Sequence, residues 1–295
     1  MIRLPYLSVC DDAFDTHDHR GSCHPGACRC GTLRGMPKIQ EPLTMLDGFT
    51  QQSFSAPLQS GLQVEHDVYT LGSAAPTVVI IQELPGIGPE TLDLARRLHG
   101  EGYRVVLPHL FGPLGKVSLV GNLVRVFCLR KEFSLFAKNA SSPIVDWLKA
   151  LCQDLRTNQG ASAVGVIGMC LTGNFAISLM ADDHIDAGVA SQPSMPLNDQ
   201  DTLHMSADEI AAARRRLDER GPMLALRFDG DAICKAAKFE AIDKAFNDDK
   251  ERVSLRTLPG KGHSVFTLDF AKRSEVTEPA FTEVLGYFDQ RLKNA

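Results

Sequence analysis

The chain has 295 residues, of which 44% are hydrophobic and 23% charged, and this balance excludes wholesale disorder and fibrous repeats. Its 31 basic and 36 acidic residues give a net charge of −5, which argues against a general nucleic-acid binder because such proteins present a basic face. The length is sufficient for one sizeable hydrophobic core.

The first 50 residues differ from the rest of the chain, because they show neither helical nor strand periodicity. We expect residues 1–50 to be a poorly ordered extension and residues 51–295 to form a single domain. The extension holds seven possible soft metal ligands: Cys10, His17, His19, Cys23, His24, Cys28 and Cys30. Their spacing lacks the recurring Cys-x2-Cys pairs of common zinc sites. We therefore predict no metal, and keep N-terminal metal binding as an alternative.

Targeting and membrane segments are not indicated. The first apolar run is too short for a secretory signal, which needs about 7–15 apolar residues, so we expect a cytoplasmic protein. Residues 161–181 carry no charged side chain, but interspersed glycine and polar residues favour a buried strand, turn and helix over a membrane span. We expect neither nucleic acid nor membrane as a partner, and the sequence does not indicate an oligomeric state.

From residue 61 onward, predicted strands alternate with predicted helices. Residues 62–71 alternate like an edge strand, and residues 77–82 form a β-branched run typical of a strand buried on both faces. Further strands are predicted at 103–108, 163–169, 187–191, 223–228 and 253–258, and helices at 89–100, from 143, and at 172–180, 207–220, 236–246 and 277–292. This alternation predicts an α/β fold with a mostly parallel central sheet and helices on both faces.

One helical insertion after an early strand interrupts this alternation. Residues 112–142 mix apolar and basic side chains as amphipathic helices do. Two interpretations stay open: a helix that packs on the sheet, or a lid beside the active site.

A nucleophile motif follows the predicted strand 163–169. Cys170 lies in the sequence Gly-Met-Cys-Leu-Thr-Gly, which matches a tight strand-to-helix turn with cysteine as nucleophile. Gly168 allows the strand to approach the helix, and Thr172 is still a short side chain. The following helix N-terminus favours a thiolate. The alternative is a buried structural cysteine, which the placement of the glycines disfavours.

A candidate acid and base follow in the chain order expected of α/β-hydrolases. His263 follows the last predicted strand in a glycine-rich loop, so we expect it to be the base. The strand 223–228 runs into Asp229-Gly230-Asp231. We expect Asp231 to orient the histidine, with Asp229 as the alternative.

An oxyanion hole needs two N–H donors. Leu171, directly after the nucleophile, can supply one, and Leu84, in the loop after the strand 77–82, can supply the other. Glu83 precedes Leu84 and should lie next to Cys170. Because a buried carboxylate needs hydrogen bonds, the residues alone favour Glu83 as an acceptor that anchors the loop.

These motifs together resemble the dienelactone hydrolase family of α/β-hydrolases, over roughly residues 64–295. The resemblance rests on four stretches: Gln82-Glu83 with the following Pro-Gly-Ile-Gly, Gly102-Tyr103 leading to 108–111, the cysteine turn, and Gly262-His263-Ser264. It implies an α/β-hydrolase fold and a triad of Cys170, Asp231 and His263. It also implies that the N–H groups of Leu84 and Leu171 bind the oxyanion, and that Glu83 holds the resting thiol and accepts its proton.

The chain departs from the family pattern in two places. Thr267 stands where the type enzymes carry an arginine for the substrate carboxylate. The family's Pro-Asp-Leu-Tyr is Pro108-His109-Leu110-Phe111 here, with no arginine close behind and Lys116 as the nearest cation. These departures leave the fold and the ester-cleaving chemistry in place and argue against a carboxylate-bearing dienelactone as the natural substrate.

The expected function is hydrolysis of a small-molecule lactone or carboxylic ester through a thioester acyl-enzyme, without metal or organic cofactor. Three alternatives stay open: a non-catalytic scaffold of the same fold, N-terminal metal binding, and acyl transfer to an acceptor other than water.

Overall fold

The computed structural model describes residues 45–58, 61, 63–73, 76–84, 86–112, 114 and 143–294. The predicted extension up to residue 44 and nearly all of the predicted insertion lie outside these residues.

The described strands form one eight-stranded sheet with the spatial order β1-β2-β4-β3-β5-β6-β7-β8. Five neighbouring pairs are parallel, and the β1–β2 and β2–β4 pairs are antiparallel. The mostly parallel sheet is therefore confirmed. The strands are β1 (Phe49–Pro57), β2 (Gln63–Leu71), β3 (Pro76–Ile81), β4 (Arg104–Pro108), β5 (Ala163–Met169), β6 (Ala187–Ser191), β7 (Met223–Phe228) and β8 (Val253–Leu258).

Six α-helices of the described residues cover the sheet. They are α1 (Pro89–Gly100), α2 (Pro143–Thr157), α3 (Gly173–Leu179), α4 (Ala207–Arg220), α5 (Ala236–Phe246) and α6 (Ser274–Phe288). All seven residues of α3 are buried, whereas the buried side chains of the other five helices recur at helical spacing along one face.

The sheet separates two hydrophobic cores, and the central strands contribute to both. In β3, Val79 and Ile81 face one core whereas Val78 and Ile80 face the other, as the two-residue period of a strand requires. The first core contains Trp147 of α2 and side chains of α3, α4 and α5. The second contains side chains of α1 and α6. The predicted placement of helices on both faces is therefore confirmed.

Three details differ from the sequence-based expectation. The predicted edge strand 62–71 is β2, and β1 lies outside it. Strand β1 was missed because four successive polar residues, 50–53, are exposed and hide the strand period. The last helix begins at Ser274, three residues earlier than predicted, and its α-helical part ends at Phe288, where a π-helical turn, Asp289–Lys293, follows.

Within the described ranges, no helix has both the length and the apolar character to span a bilayer. The uncharged stretch 161–181 forms β5, a 3₁₀ turn (Cys170–Thr172) and α3.

Candidate active site

The register of the central strands places the ends of β3 and β5 side by side. Ile81 pairs with Gly168, so Glu83 and Cys170 each follow that pair by two residues. Leu84 packs against the core that contains Cys170 and Leu171. Because parallel strands end at one edge of the sheet, the two predicted oxyanion donors and the predicted nucleophile meet there.

Cys170 stands on a strained turn between β5 and α3. Its φ is +57°, in the left-handed region that residues with a side chain rarely occupy. The turn is as tight as the sequence suggested, because a Cβ on Gly168 would lie 2.2 Å from the carbonyl oxygen of Thr172. Backbone strain of this kind clusters at functional sites, and here it presents one cysteine at the edge of the sheet.

The Thr172 side chain ties this turn to β3. Its hydroxyl accepts a hydrogen bond from the Met169 N–H at 2.9 Å and lies 2.9 Å from the carbonyl oxygen of Ile81. A glycine, the usual residue at this position of the motif, could make neither contact. The substitution therefore adds a link between the nucleophile turn and the strand that leads to the predicted oxyanion loop.

The predicted acid and base lie together at the ends of β7 and β8. His263 Nδ1 is 2.8 Å from Asp231 Oδ2 and 3.0 Å from Oδ1. The Asp231 Oδ1 atom also accepts hydrogen bonds from the N–H groups of Ile233 and Cys234, at 2.7 and 2.9 Å. Asp229 instead accepts from the Gly260 N–H at 2.8 Å. The structure thus brings Asp231, and not Asp229, to the histidine.

The His263 ring is held by Asp231 and lies next to Cys170. Burial by itself lowers the pKa of the imidazole, but the hydrogen bond to Asp231 and the adjacent Cys170 sulfur outweigh it and raise the pKa to about 10. The Nε2 atom is buried and has no well-aligned hydrogen-bond partner among the described residues. A cationic imidazole beside a cysteine can stabilise a thiolate and later supply its proton.

Glu83 is fully buried and accepts hydrogen bonds from three neutral side chains. Gln192 Nε2 and Ser264 Oγ each lie 3.1 Å from Oε2, and Thr267 Oγ1 donates to Oε1. Burial raises the pKa of the carboxyl, whereas these donors and the nearby His263 lower it, and the net shift is upward. The Glu83 carboxyl thus accepts three hydrogen bonds, and none of its three donors is Cys170.

Two contact residues at the site were missed from the sequence. Gln192 holds Glu83 as described above. Asp269 Oδ2 accepts hydrogen bonds from the backbone N–H groups of His263 and Ser264, at 2.8 and 3.1 Å, and so shapes the histidine loop. No sequence motif marks Gln192. Asp269 is six residues after His263 in the same loop, and its ability to cap that loop was the available signal.

The other cysteines of the described chain are buried. Cys152 lies in the core, and burial raises its pKa. Cys234 lies beside Asp231 and its thiol donates to the Pro193 carbonyl at 3.1 Å. No group of three or more His, Cys, Asp or Glu side chains in the described ranges is arranged to hold a metal, and the N-terminal Cys and His residues lie outside those ranges.

Comparison with known proteins tests which family the chain belongs to. Residues 67–292 match the dienelactone hydrolase family model. A protein of Methylorubrum extorquens named "Putative carboxymethylenebutenolidase" is 22% identical over 84% of this chain and 83% of its own. A dienelactone hydrolase-like promiscuous phosphotriesterase from metagenomic libraries has a similar fold, with a TM-score of 0.58 and 14% identity, over 82% of this chain and 98% of its own. A Pyrococcus furiosus esterase aligns with a TM-score of 0.54 and 13% identity, over 87% and 98%. The chain therefore belongs to the dienelactone hydrolase family and is a hydrolase of the carboxylic ester and lactone type.

Proposed function

We propose that the protein hydrolyses a lactone or carboxylic ester with Cys170 as nucleophile, His263 as acid and base, and Asp231 as the residue that orients His263. The observation that carries this proposal is the placement of a strained cysteine beside a buried histidine–aspartate pair. A cysteine with only a structural role would need neither a strained backbone turn nor a neighbouring histidine–aspartate pair.

In the first step, the Cys170 thiolate attacks the carbonyl carbon of the substrate. The developing oxyanion is bound by the backbone N–H groups of Leu84 and Leu171. When the intermediate collapses, the His263 imidazolium gives its proton to the leaving alcohol oxygen, and a thioester remains on Cys170. The raised pKa of His263 supports this starting state, in which the imidazole carries the proton.

In the second step, neutral His263 takes a proton from water, and the resulting hydroxide attacks the thioester carbonyl. Collapse of the second oxyanion releases the carboxylic acid and restores the thiolate and the imidazolium. Asp231 holds the ring through Nδ1 in both steps, so that Nε2 exchanges the proton. The family role of Glu83, acceptance of the thiol proton, stays a prediction.

We further propose that the substrate lacks a carboxylate near the scissile bond. Thr267, the position of the expected carboxylate-binding arginine, is neutral and donates its hydroxyl to Glu83. The Asp231 carboxylate and the Cys170 thiolate place negative charge in the site, and His263 is their cationic neighbour. A substrate carboxylate placed among these groups would be repelled.

The proposal is tested with a panel of lactones and activated aryl esters that includes cis- and trans-dienelactone. Wild type is expected to turn over at least one member, and Cys170→Ala none. Rapid quenching followed by mass spectrometry should then find an acyl group on Cys170, with more of it in His263→Ala. Equal rates in wild type and Cys170→Ala would identify a different nucleophile, and no turnover by either would favour the scaffold alternative.

A further inference from the structure

Gln192 occupies a strained position directly after β6, next to the proposed active site. Its φ is +38°, and within the described part of the chain it shares a positive φ with one other non-glycine residue, Cys170. The side chain is completely buried. A glutamine residue does not itself favour a positive φ, so contacts with surrounding residues must hold this backbone conformation.

Contacts on both sides of the residue hold the Gln192 backbone. Its N–H donates to the Leu226 carbonyl at 2.6 Å, and its own carbonyl accepts from Ser194 Oγ at 2.8 Å. The Ser194 N–H donates to the Cys170 carbonyl at 3.0 Å. The turn that contains Gln192 is therefore bonded directly to the nucleophile turn.

The Gln192 side chain points its two polar atoms at different partners. Nε2 donates to Glu83 Oε2 at 3.1 Å, and Oε1 accepts from Ser191 Oγ. The two contacts fix the orientation of the amide, because only the NH2 group can donate to a carboxylate and only the oxygen can accept from a hydroxyl. A buried amide with both groups satisfied is a rigid support.

Glu83 in turn precedes Leu84, the proposed oxyanion donor, and lies near His263. Burial raises the pKa of the Glu83 carboxyl and the nearby His263 lowers it, so the protonation of the two groups is coupled. A displacement of the Glu83 carboxyl would therefore disturb both the backbone at Leu84 and the surroundings of the histidine.

We infer that Gln192 is a positioning residue of this hydrolase: its amide fixes the Glu83 carboxylate, and its turn fixes the backbone of Cys170, so that nucleophile and oxyanion donor keep one relative geometry. This inference rests on the proposed function. It assigns Gln192 no contact with the substrate.

Gln192→Asn separates the side-chain role from the backbone role. Asparagine accepts positive φ better than glutamine, so the turn is kept, while the amide is withdrawn from Glu83 by one methylene group. We expect kcat to fall about 10-fold or more, with a smaller change in KM. The matched control is Gln159→Asn: Gln159 Nε2 also donates to a carboxylate, Asp154 Oδ2 at 2.7 Å, at the opposite end of β5 from Cys170. It is expected to lower Tm and to leave kcat within about twofold.

Gln192→Glu keeps the length of the side chain and gives a pH-dependent result. At low pH one proton shared by the two carboxyl groups restores the contact with Glu83, and at high pH both ionise and repel. The charged groups that face this pair are His263 and, behind it, Asp231 and Cys170. The ratio of variant to wild-type kcat is expected to fall as pH rises, with Tm followed in parallel. If Gln192→Asn does not fold, this isosteric variant carries the test.

Equal losses of kcat in Gln192→Asn and Gln159→Asn, or a flat pH ratio for Gln192→Glu, would overturn the inference. Cys170→Ala is measured in the same assay. If it retains the wild-type kcat, the proposed function fails and the inference with it. An inactive Cys170→Ala beside an unimpaired Gln192→Asn overturns the inference alone.

Discussion

The imidazole of His263 lies 2.8 Å from the carboxylate of Asp231, although the two residues belong to different loops. They meet because β7 and β8 are parallel neighbours, with Phe228 paired to Leu258. The Asp231 side chain has no exposed surface. Removal of its charge would therefore act on the histidine without competition from solvent.

Asp231→Asn is expected to lower kcat by about 100-fold or more, because the ring loses both its orientation and the stabilisation of its cationic form. The measurement is kcat on the best ester of the panel. Asp229→Asn is the matched control, since Asp229 caps the Gly260 N–H and does not reach the histidine. A comparable loss of kcat in the Asp229 variant would argue that loop structure, and not the carboxylate–imidazole contact, matters.

The raised pKa of His263 predicts how stability depends on pH. The pKa rises from the ordinary value of 6.5 to about 10 in the folded protein. The protonated ring therefore stabilises the fold fully below about pH 6.5, and this stabilisation is lost as the pH rises through about 10. Urea unfolding from about pH 6 to 10.5 should show wild type losing more free energy of unfolding than His263→Ala. Parallel curves would mean that the ring is neutral in the folded state.

The close packing around Gly168 predicts how a larger side chain there would affect the nucleophile turn. In Gly168→Ala the new Cβ meets the Thr172 carbonyl oxygen, so the turn must shift. We expect a loss of about 1–3 kcal/mol together with a loss of activity. Gly286→Ala in α6 is the control: nothing lies within 4 Å of its Cβ, and the helix should gain about 0.5–1 kcal/mol. Thermal unfolding of both variants checks this, and a neutral Gly168→Ala would show that the turn is looser than described.

Alkylation should distinguish the described cysteines. Cys170 is 8% exposed, whereas Cys152 and Cys234 are 0% exposed, and burial raises the pKa of both of those thiols. Iodoacetamide under native conditions is expected to modify Cys170 before the other two. Peptide mapping after short exposure gives the order, and His263→Ala should slow the reaction at Cys170. Earlier labelling of Cys234 would contradict the proposed assignment of the nucleophile.

The sequence was most informative where one local pattern determines one structure. The apolar runs predicted the central strands. The glycine spacing around Cys170 indicated the tight turn before any contact was known. The candidate base and acid followed from chain order together with the rule that loops after parallel strands share an edge. These inferences needed no knowledge of distant contacts.

The features that escaped sequence reasoning depend on such distant contacts. Gln192 contacts Glu83, which lies 109 positions earlier in the sequence. No local sequence pattern near either residue indicates this contact. Strand β1 is defined by its ladder with β2, because its own polar residues lack the strand pattern. The contact of Thr267 with Glu83 likewise appears only once β3 and the histidine loop are brought together.

The polar character of β1 also bears on self-association. An open sheet edge offers unpaired backbone groups to a second molecule. Strand β2 is the more apolar of the two, with Val68, Tyr69 and Leu71 buried. Strand β1 covers its edge with exposed polar side chains at Thr50–Ser53 and ends at Pro57, features that oppose strand addition from another chain. Shortened forms of the protein that lack β1 would expose β2 and be prone to aggregate through that edge.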